Sequence, residues 1–207
     1  MKLHYFETIN GRKACVAAKH FNAPVEFIRV NLGKNEHTTA VYLALNPNAK
    51  VPVLETATGS IWESNAIMAY LARQAGSDML PTDDRLIDVV RWLTWSSEHF
   101  NRYTSRVYFE NLVKAHFGIG PADAAMVEDA NGYIRRYGAI LNDHLKGRRY
   151  VVGDSLTIAD FAVGAALPYA EPAKIPLDGF TEIVRWGDRL NELAAWRDPF
   201  PVVKAAA

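Results

Sequence analysis

Asn46–Pro47–Asn48–Ala49–Lys50–Val51–Pro52–Val53–Leu54, followed after a short gap by Trp62–Glu63–Ser64–Asn65–Ala66–Ile67, is the stretch that decides the fold. A residue before proline is pushed into extended geometry, and an X-Pro bond reaches the cis form at modest cost. A cis Val51–Pro52 bond would turn the Val51 N–H and C=O outward, free to pair with an extended ligand. The run after Pro52 reads as a strand, Ala57–Thr58–Gly59–Ser60 as its turn, and Ile61–Trp62 as the strand returning on it. Glu63–Ser64 then opens a helix through Ile67, Tyr70 and Leu71. A helix start carries unpaired N–H groups and partial positive charge, which suit a carboxylate. The stretch describes a site for a molecule that pairs by its backbone at one end and is a free amino acid at the other.

The rest of the chain sets bounds on this reading. Its 207 residues are 49% apolar, enough to fill a core, and fit one domain or two small ones. Lys plus Arg and Asp plus Glu both number 23, so no net charge points to a nucleic acid or a membrane surface. No apolar run nears the roughly 18 residues of a spanning helix, and Met1–Phe6 leads straight into a strand rather than a signal peptide. One cysteine excludes an internal disulfide and fits a reducing compartment. A cytoplasmic protein without a resident cofactor or metal site is expected. Gly76–Ser77–Asp78 and Leu80–Pro81–Thr82–Asp83–Asp84 break the pattern, giving a first domain over 1–77, a linker over 78–85 and a second domain over 86–207. In the second, Ile87, Val90, Leu93 and Trp95 fall at helical spacing from Arg85. A long helix runs from Pro121–Ala122–Asp123 through Ile134, Tyr137, Leu141 and Leu145. Thr157–Ile158–Ala159–Asp160 has the layout of a capping box, with Asp in place of the usual Glu or Gln, and reads as structural.

Glutathione meets both requirements of the opening stretch. At this point the chain resembles the glutathione S-transferase family. A strand at Lys2–Phe6, a helix from about Gly11, a strand at Val25–Val30, and then the NPNxKVPVL and ES-AI motifs match in order and spacing. Gly153–Asp154–Ser155–Leu156–Thr157–Ile158–Ala159–Asp160 is similar to the family's buried helix start. The resemblance implies an α+β thioredoxin-like domain of order βαβαββα, followed by an all-α helical bundle, in a homodimer of bacterial beta- or nu-like type. It implies that Val51, before Pro52, pairs with the cysteinyl backbone of glutathione and that Glu63 and Ser64 hold its γ-glutamyl end. His37, after Asn35–Glu36, and Lys50 would approach the glycyl carboxylate.

An enzyme of this kind must stabilise a thiolate, because a free cysteine thiol, with a pKa near about 8.5, is mostly protonated at neutral pH. Family members place Tyr, Ser or Cys at the end of the first strand or the start of the first helix. Asn10 stands where bacterial and plant-type members carry Cys or Ser; its side-chain NH2 donates, but it cannot form a mixed disulfide. Asn is also a favoured helix cap, so Asn10 would cap the helix from Gly11 as well. Tyr5 is the competing donor, and Thr8 a third. Cys15 lies beyond the nucleophile position and reads as a small buried apolar residue. His99 falls short of the spacing of a beta-class histidine. Tyr103, Tyr108, Phe109 and Phe117 would line a site for an apolar co-substrate, or else are core.

Three functions follow. The first is a glutathione transferase that joins the thiolate to a small apolar electrophile, with glutathione as co-substrate. The second is a glutathione-dependent disulfide reductase or peroxidase, which the family associates with nu-like members carrying Asn or Thr at this position. The third is a non-catalytic binding or scaffold protein that keeps the fold, as in translation-factor relatives.

Overall fold

In the computed structural model, which describes residues 1–201, the chain divides into two compact units. The first holds residues 1–77 together with the segment from Asn191 on. Its elements run β1 (Lys2–Tyr5), α1 (Ile9–His20), β2 (Glu26–Arg29), α2 (Ala40–Leu45), β3 (Val53–Thr56), β4 (Gly59–Trp62) and α3 (Ser64–Gln74), the βαβαββα order expected. The sheet order is β2-β1-β3-β4; β1 and β2 are parallel, and the other pairs are antiparallel. Alternation along β1 turns Leu3 and Tyr5 to the interior, which they share with Val16, Leu54, Ile67 and Leu71.

The helix α1 begins at Ile9, two positions ahead of the expected start, and its cap is Thr8 rather than Asn10. The Thr8 hydroxyl accepts the Gly11 N–H at 3.1 Å. Gly11 permits this start, because a Cβ there would lie 2.1 Å from the Phe6 carbonyl oxygen. Asn10 is thereby released from capping and lies in the first turn, exposed.

Of the second domain expected over 86–207, residues 202–207 lie outside the described residues, and the segment from Asn191 groups with the first unit. Its helix (Ala194–Arg197) is bound through backbone carbonyls, which no side-chain pattern announces. Arg12 donates to the Trp196 carbonyl and lies 4.8 Å from the Trp196 ring centre; Lys19 donates to the carbonyls of Asp198 and Phe200 at 2.6 and 2.8 Å.

The second unit, Asp78–Leu190, is built of helices among the described residues. It carries α4 (Arg85–Trp95), α5 (Asn101–Tyr108), α6 (Lys114–Phe117), α7 (Ala124–His144), α8 (Ile158–Val163), α9 (Ala170–Ala173) and α10 (Thr181–Asn191, which ends at the boundary). Wider π turns at Ser96–Phe100 and Phe109–Val113 join α4, α5 and α6 into a continuous rod. On α4 the buried residues are Val89 and Trp92, whereas Ile87 and Val90, at 71% and 49% exposure, face outward. Asp123 caps α7 by accepting from Ala125 and Met126 N–H. Tyr103 stacks on Tyr133 and Tyr137, and Tyr108 meets Tyr169 edge-on.

Asp160 organises this unit's centre. It is 0% exposed, and one carboxylate oxygen accepts the Val151 N–H at 2.9 Å and the Trp186 indole N–H at 3.0 Å. The other accepts the Thr157 N–H at 2.9 Å and the Thr157 hydroxyl at 3.1 Å, closing the capping box. Burial outweighs these donors and pushes the carboxyl up to about 6. A folded-state value above the unfolded one means that this group favours folding most at low pH, and less as pH rises through about 6. Asp160→Ala leaves three buried N–H donors unpaired. It is expected to cost about 2–4 kcal/mol in denaturant unfolding at neutral pH. The wild-type advantage over Asp160→Ala should be larger near about pH 4 than near about pH 7; a constant difference across that range would show that the carboxyl is ionised throughout.

Candidate functional site

The turn that precedes β3 is built by two side chains acting on one carbonyl. The Tyr42 hydroxyl on α2 donates to the Lys50 carbonyl at 2.8 Å, and the Asn46 amide donates to the same oxygen at 2.7 Å. Asn46 is buried, and its own carbonyl oxygen accepts both the Asn48 N–H and the Asn48 side-chain amide at 3.0 Å. The Asn-Pro-Asn sequence thus folds as an Asx turn locked from below. The Val51–Pro52 bond is cis. Among the described residues, neither the N–H nor the C=O of Val51 has a hydrogen-bond partner.

Facing this edge is the start of α3. Its first-turn N–H groups have no earlier carbonyl to bond, the usual condition of a helix N-terminus. Glu63, the residue before it, takes φ 70° and ψ 115°, a region that residues other than glycine rarely occupy. That turn redirects the chain from β4 into the helix and sets the Glu63 side chain at the rim. The Ser64 hydroxyl donates to the Asn10 side-chain oxygen Oδ1 at 3.4 Å, a long bond that joins α3 to the first turn of α1. The Asn10 NH2 is left with no partner among the described residues.

One small pocket collects these groups: Asn10, Asn46, Asn48, Lys50, Val51, Pro52, Glu63 and Ser64 line it. Of the site residues expected from sequence, Asn10, Lys50, Val51, Pro52, Glu63 and Ser64 are therefore together. The other two, Tyr5 and His37, are outside the lining. Tyr5 is 2% exposed, stacked on Phe200 at 5.9 Å and edge-on to Phe27, and burial pushes its phenol up to about 12. It is a core residue, as its inward place in the alternation of β1 explains. His37 sits in a short 3-10 turn (Glu36–Thr38), with its Nδ1 buried and lacking a hydrogen-bond partner. Cys15 is fully buried, and burial pushes its thiol well above the usual range. Asn46, Asn48 and Tyr42 are the residues that sequence reasoning passed over. The Asn-Pro-Asn pattern was the available signal for the first two, whereas the reach of Tyr42 is a tertiary contact. Among the described residues no group of His, Cys, Asp and Glu could hold a metal, and no helix is long and apolar enough to cross a membrane.

Known proteins share this sequence pattern and this fold. Residues 1–73 match the glutathione S-transferase N-terminal domain, and residues 99–194 match the glutathione S-transferase C-terminal domain. The chain is 33% identical over 157 residues to glutathione S-transferase 3 of Zea mays, covering 74% of this chain and 70% of that protein. It is also 33% identical over 183 residues to elongation factor 1-gamma 1 of Oryza sativa subsp. japonica; that match covers 86% of this chain but spans only 42% of the relative's length. A glutathione transferase family member from Pseudomonas fluorescens pf-5, solved with two glutathione bound, superposes with a TM-score of 0.83 at 24% identity, covering 96% of this chain and 91% of that one. The chain belongs to the glutathione S-transferase family.

The clamp on Lys50 is testable without any ligand. Tyr42→Phe removes one bond and should cost about 1 kcal/mol in urea unfolding, whereas Asn46→Ala, which removes three, should cost about 2–3 kcal/mol. Equal and negligible losses would mean that the turn holds its shape without them.

Proposed function

We propose that this chain is a glutathione transferase that attaches the glutathione sulfur to an electrophilic carbon of a small apolar molecule. The observation that carries the reading is the meeting, in one pocket, of the unpaired Val51 backbone, the start of α3 and the Asn10 amide. In this reading Val51 pairs with the cysteinyl N–H and C=O as a short antiparallel strand would. The free N–H groups at Ser64 take the γ-glutamyl carboxylate, and Glu63 takes the adjoining ammonium. Lys50, at the other end of the pocket, and His37 face the glycyl carboxylate.

With both ends held, the cysteinyl sulfur is placed over the first turn of α1. The Asn10 NH2 donates to it, and the partial positive charge of the α1 start adds to the effect. If these lower the thiol pKa by ~2, the anion gains roughly 2.7 kcal/mol. The thiol proton leaves to solvent on ionisation. The sulfur lone pair then forms the S–C bond as the electron pair of the broken bond departs with the leaving group; in an addition, the π pair of an activated double bond instead shifts onto the activating group, and solvent returns the proton there. Asn10 cannot itself bond to sulfur, so the reaction goes through no mixed disulfide with the protein at this position. We further place the protein in the cytoplasm as a homodimer. Family membership is the support for the latter.

A second reading has its own support. The match to elongation factor 1-gamma 1 makes a binding role without turnover the main rival, and Asn at position 10 keeps a nu-like disulfide reductase or peroxidase in view. Calorimetry with glutathione at several pH values separates these. Proton release on binding to wild type, lost in Asn10→Ala and kept in Tyr5→Phe, is the expected result. Turnover of a chlorinated nitroaromatic should then fall about 100-fold in Asn10→Ala. Binding without turnover of either an electrophile or a disulfide would leave the binding role alone, and no binding at millimolar glutathione would remove all the glutathione-dependent readings.

A further inference from the structure

The chain contains two Asn-Gly pairs, Asn10–Gly11 and Asn131–Gly132. Such a pair is chemically labile, because glycine has no Cβ to keep its backbone nitrogen away from the asparagine side chain. Once that nitrogen loses its proton to solvent, it can attack Cγ of the asparagine. The new C–N bond closes a five-membered imide, and the amide group departs as ammonia after taking up a proton. Water then opens the ring at either carbonyl, leaving aspartate or isoaspartate. The two pairs differ in how the fold holds the attacking nitrogen. Gly132 lies well inside α7, where the helix ladder engages its N–H. Gly11 is the third residue of α1, within the turn whose N–H groups have no carbonyl of the helix to bond. The group that engages it is the Thr8 hydroxyl oxygen, at 3.1 Å. The hydroxyl's own hydrogen is directed at the Phe6 carbonyl, 3.5 Å away, which turns a lone pair toward Gly11.

The lability cannot be removed at Gly11, because any Cβ there would meet the Phe6 carbonyl oxygen at 2.1 Å. Asn10 itself is exposed and lines the pocket. The Ser64 hydroxyl, donating to Asn10 Oδ1 at 3.4 Å, draws electrons from Cγ and does not hinder attack on it. We propose that Asn10 is a latent deamidation site kept closed by the Thr8 cap, which ties down the Gly11 nitrogen and holds the pair in helical geometry. The inference goes beyond the glutathione reading and does not need it, since all the reacting atoms but water belong to this chain. Its consequence falls on the pocket. Conversion exchanges the neutral NH2 donor of Asn10 for a carboxylate that only accepts, in the same lining as Glu63. Thr8 thereby has a second task besides starting the helix: it preserves the donor two residues away.

The test is peptide mapping by mass spectrometry of protein held for weeks at mildly alkaline pH, on wild type, Thr8→Val and Thr8→Ser, with wild type in urea as the unfolded reference. In urea Asn10 and Asn131 should both convert readily, and in the folded wild type both should convert slowly. Thr8→Val keeps the shape of the side chain but loses the acceptor. It should raise the Asn10 rate about fivefold, in line with the usual weight of a helix cap, and leave Asn131 unchanged. Thr8→Ser, which restores the acceptor, should return Asn10 to the wild-type rate. An Asn10 rate in Thr8→Val equal to that of wild type would overturn the proposal, as would folded wild type converting at Asn10 as fast as in urea. Acceleration at both asparagines alike would also overturn it, since general unfolding and not the cap would then set the rate. Should Thr8→Val fail to fold, Thr8→Gly, a tolerated cap without a side-chain acceptor, decides by the same criteria.

Discussion

The Lys50 carbonyl, held by the Tyr42 hydroxyl and the Asn46 amide, is the constraint on which the site depends. Two buried donors on one acceptor fix the backbone immediately before Val51, and with it the direction in which Val51 presents its own N–H and C=O. Hydrogen bonds of this kind contribute only about 1 kcal/mol each to folding. Their larger effect is that the ligand meets an edge already ordered, so little conformational entropy is lost on binding. The hairpin β3–β4 then carries the chain to Glu63, whose positive-φ backbone starts α3 opposite the same edge.

The second constraint lies in α1. Gly11 packs against the Phe6 carbonyl, Thr8 takes the cap, and Asn10 is left with an amide that only Ser64 contacts through a hydrogen bond among the described residues. A side chain relieved of its structural duty is available for a ligand. One short segment, Thr8 to Gly11, thus supplies both the cap and a side chain that lines the pocket.

Most of the fold could be read from local pattern. The Pro-flanked turn, the strand that follows it and the capping layout at Thr157–Asp160 each act over a few residues, and the structure has them where expected. Val51, Pro52, Glu63 and Ser64 converge for the same reason: they are brought together by one hairpin. Expectation and structure part where a distant contact decides between local options. Thr8 and Asn10 are both good caps, and the Gly11–Phe6 contact selects between them. Tyr5 could have faced the loop, but the parity of β1 sends it inward with Leu3. The attachment of the segment from Asn191 depends on Arg12 and Lys19 reaching backbone carbonyls, which any sequence offers equally.

The central claim is geometric: the Val51 edge, the α3 start and the Asn10 amide grip a single glutathione molecule along its length. A crystal structure of the complex with glutathione tests it most directly. The account predicts the cysteinyl backbone paired with Val51, the γ-glutamyl carboxylate on the Ser64 N–H and the sulfur within hydrogen-bonding distance of the Asn10 side chain. Glutathione bound with its sulfur facing Tyr5 or Cys15, or lying away from Val51 altogether, would contradict it.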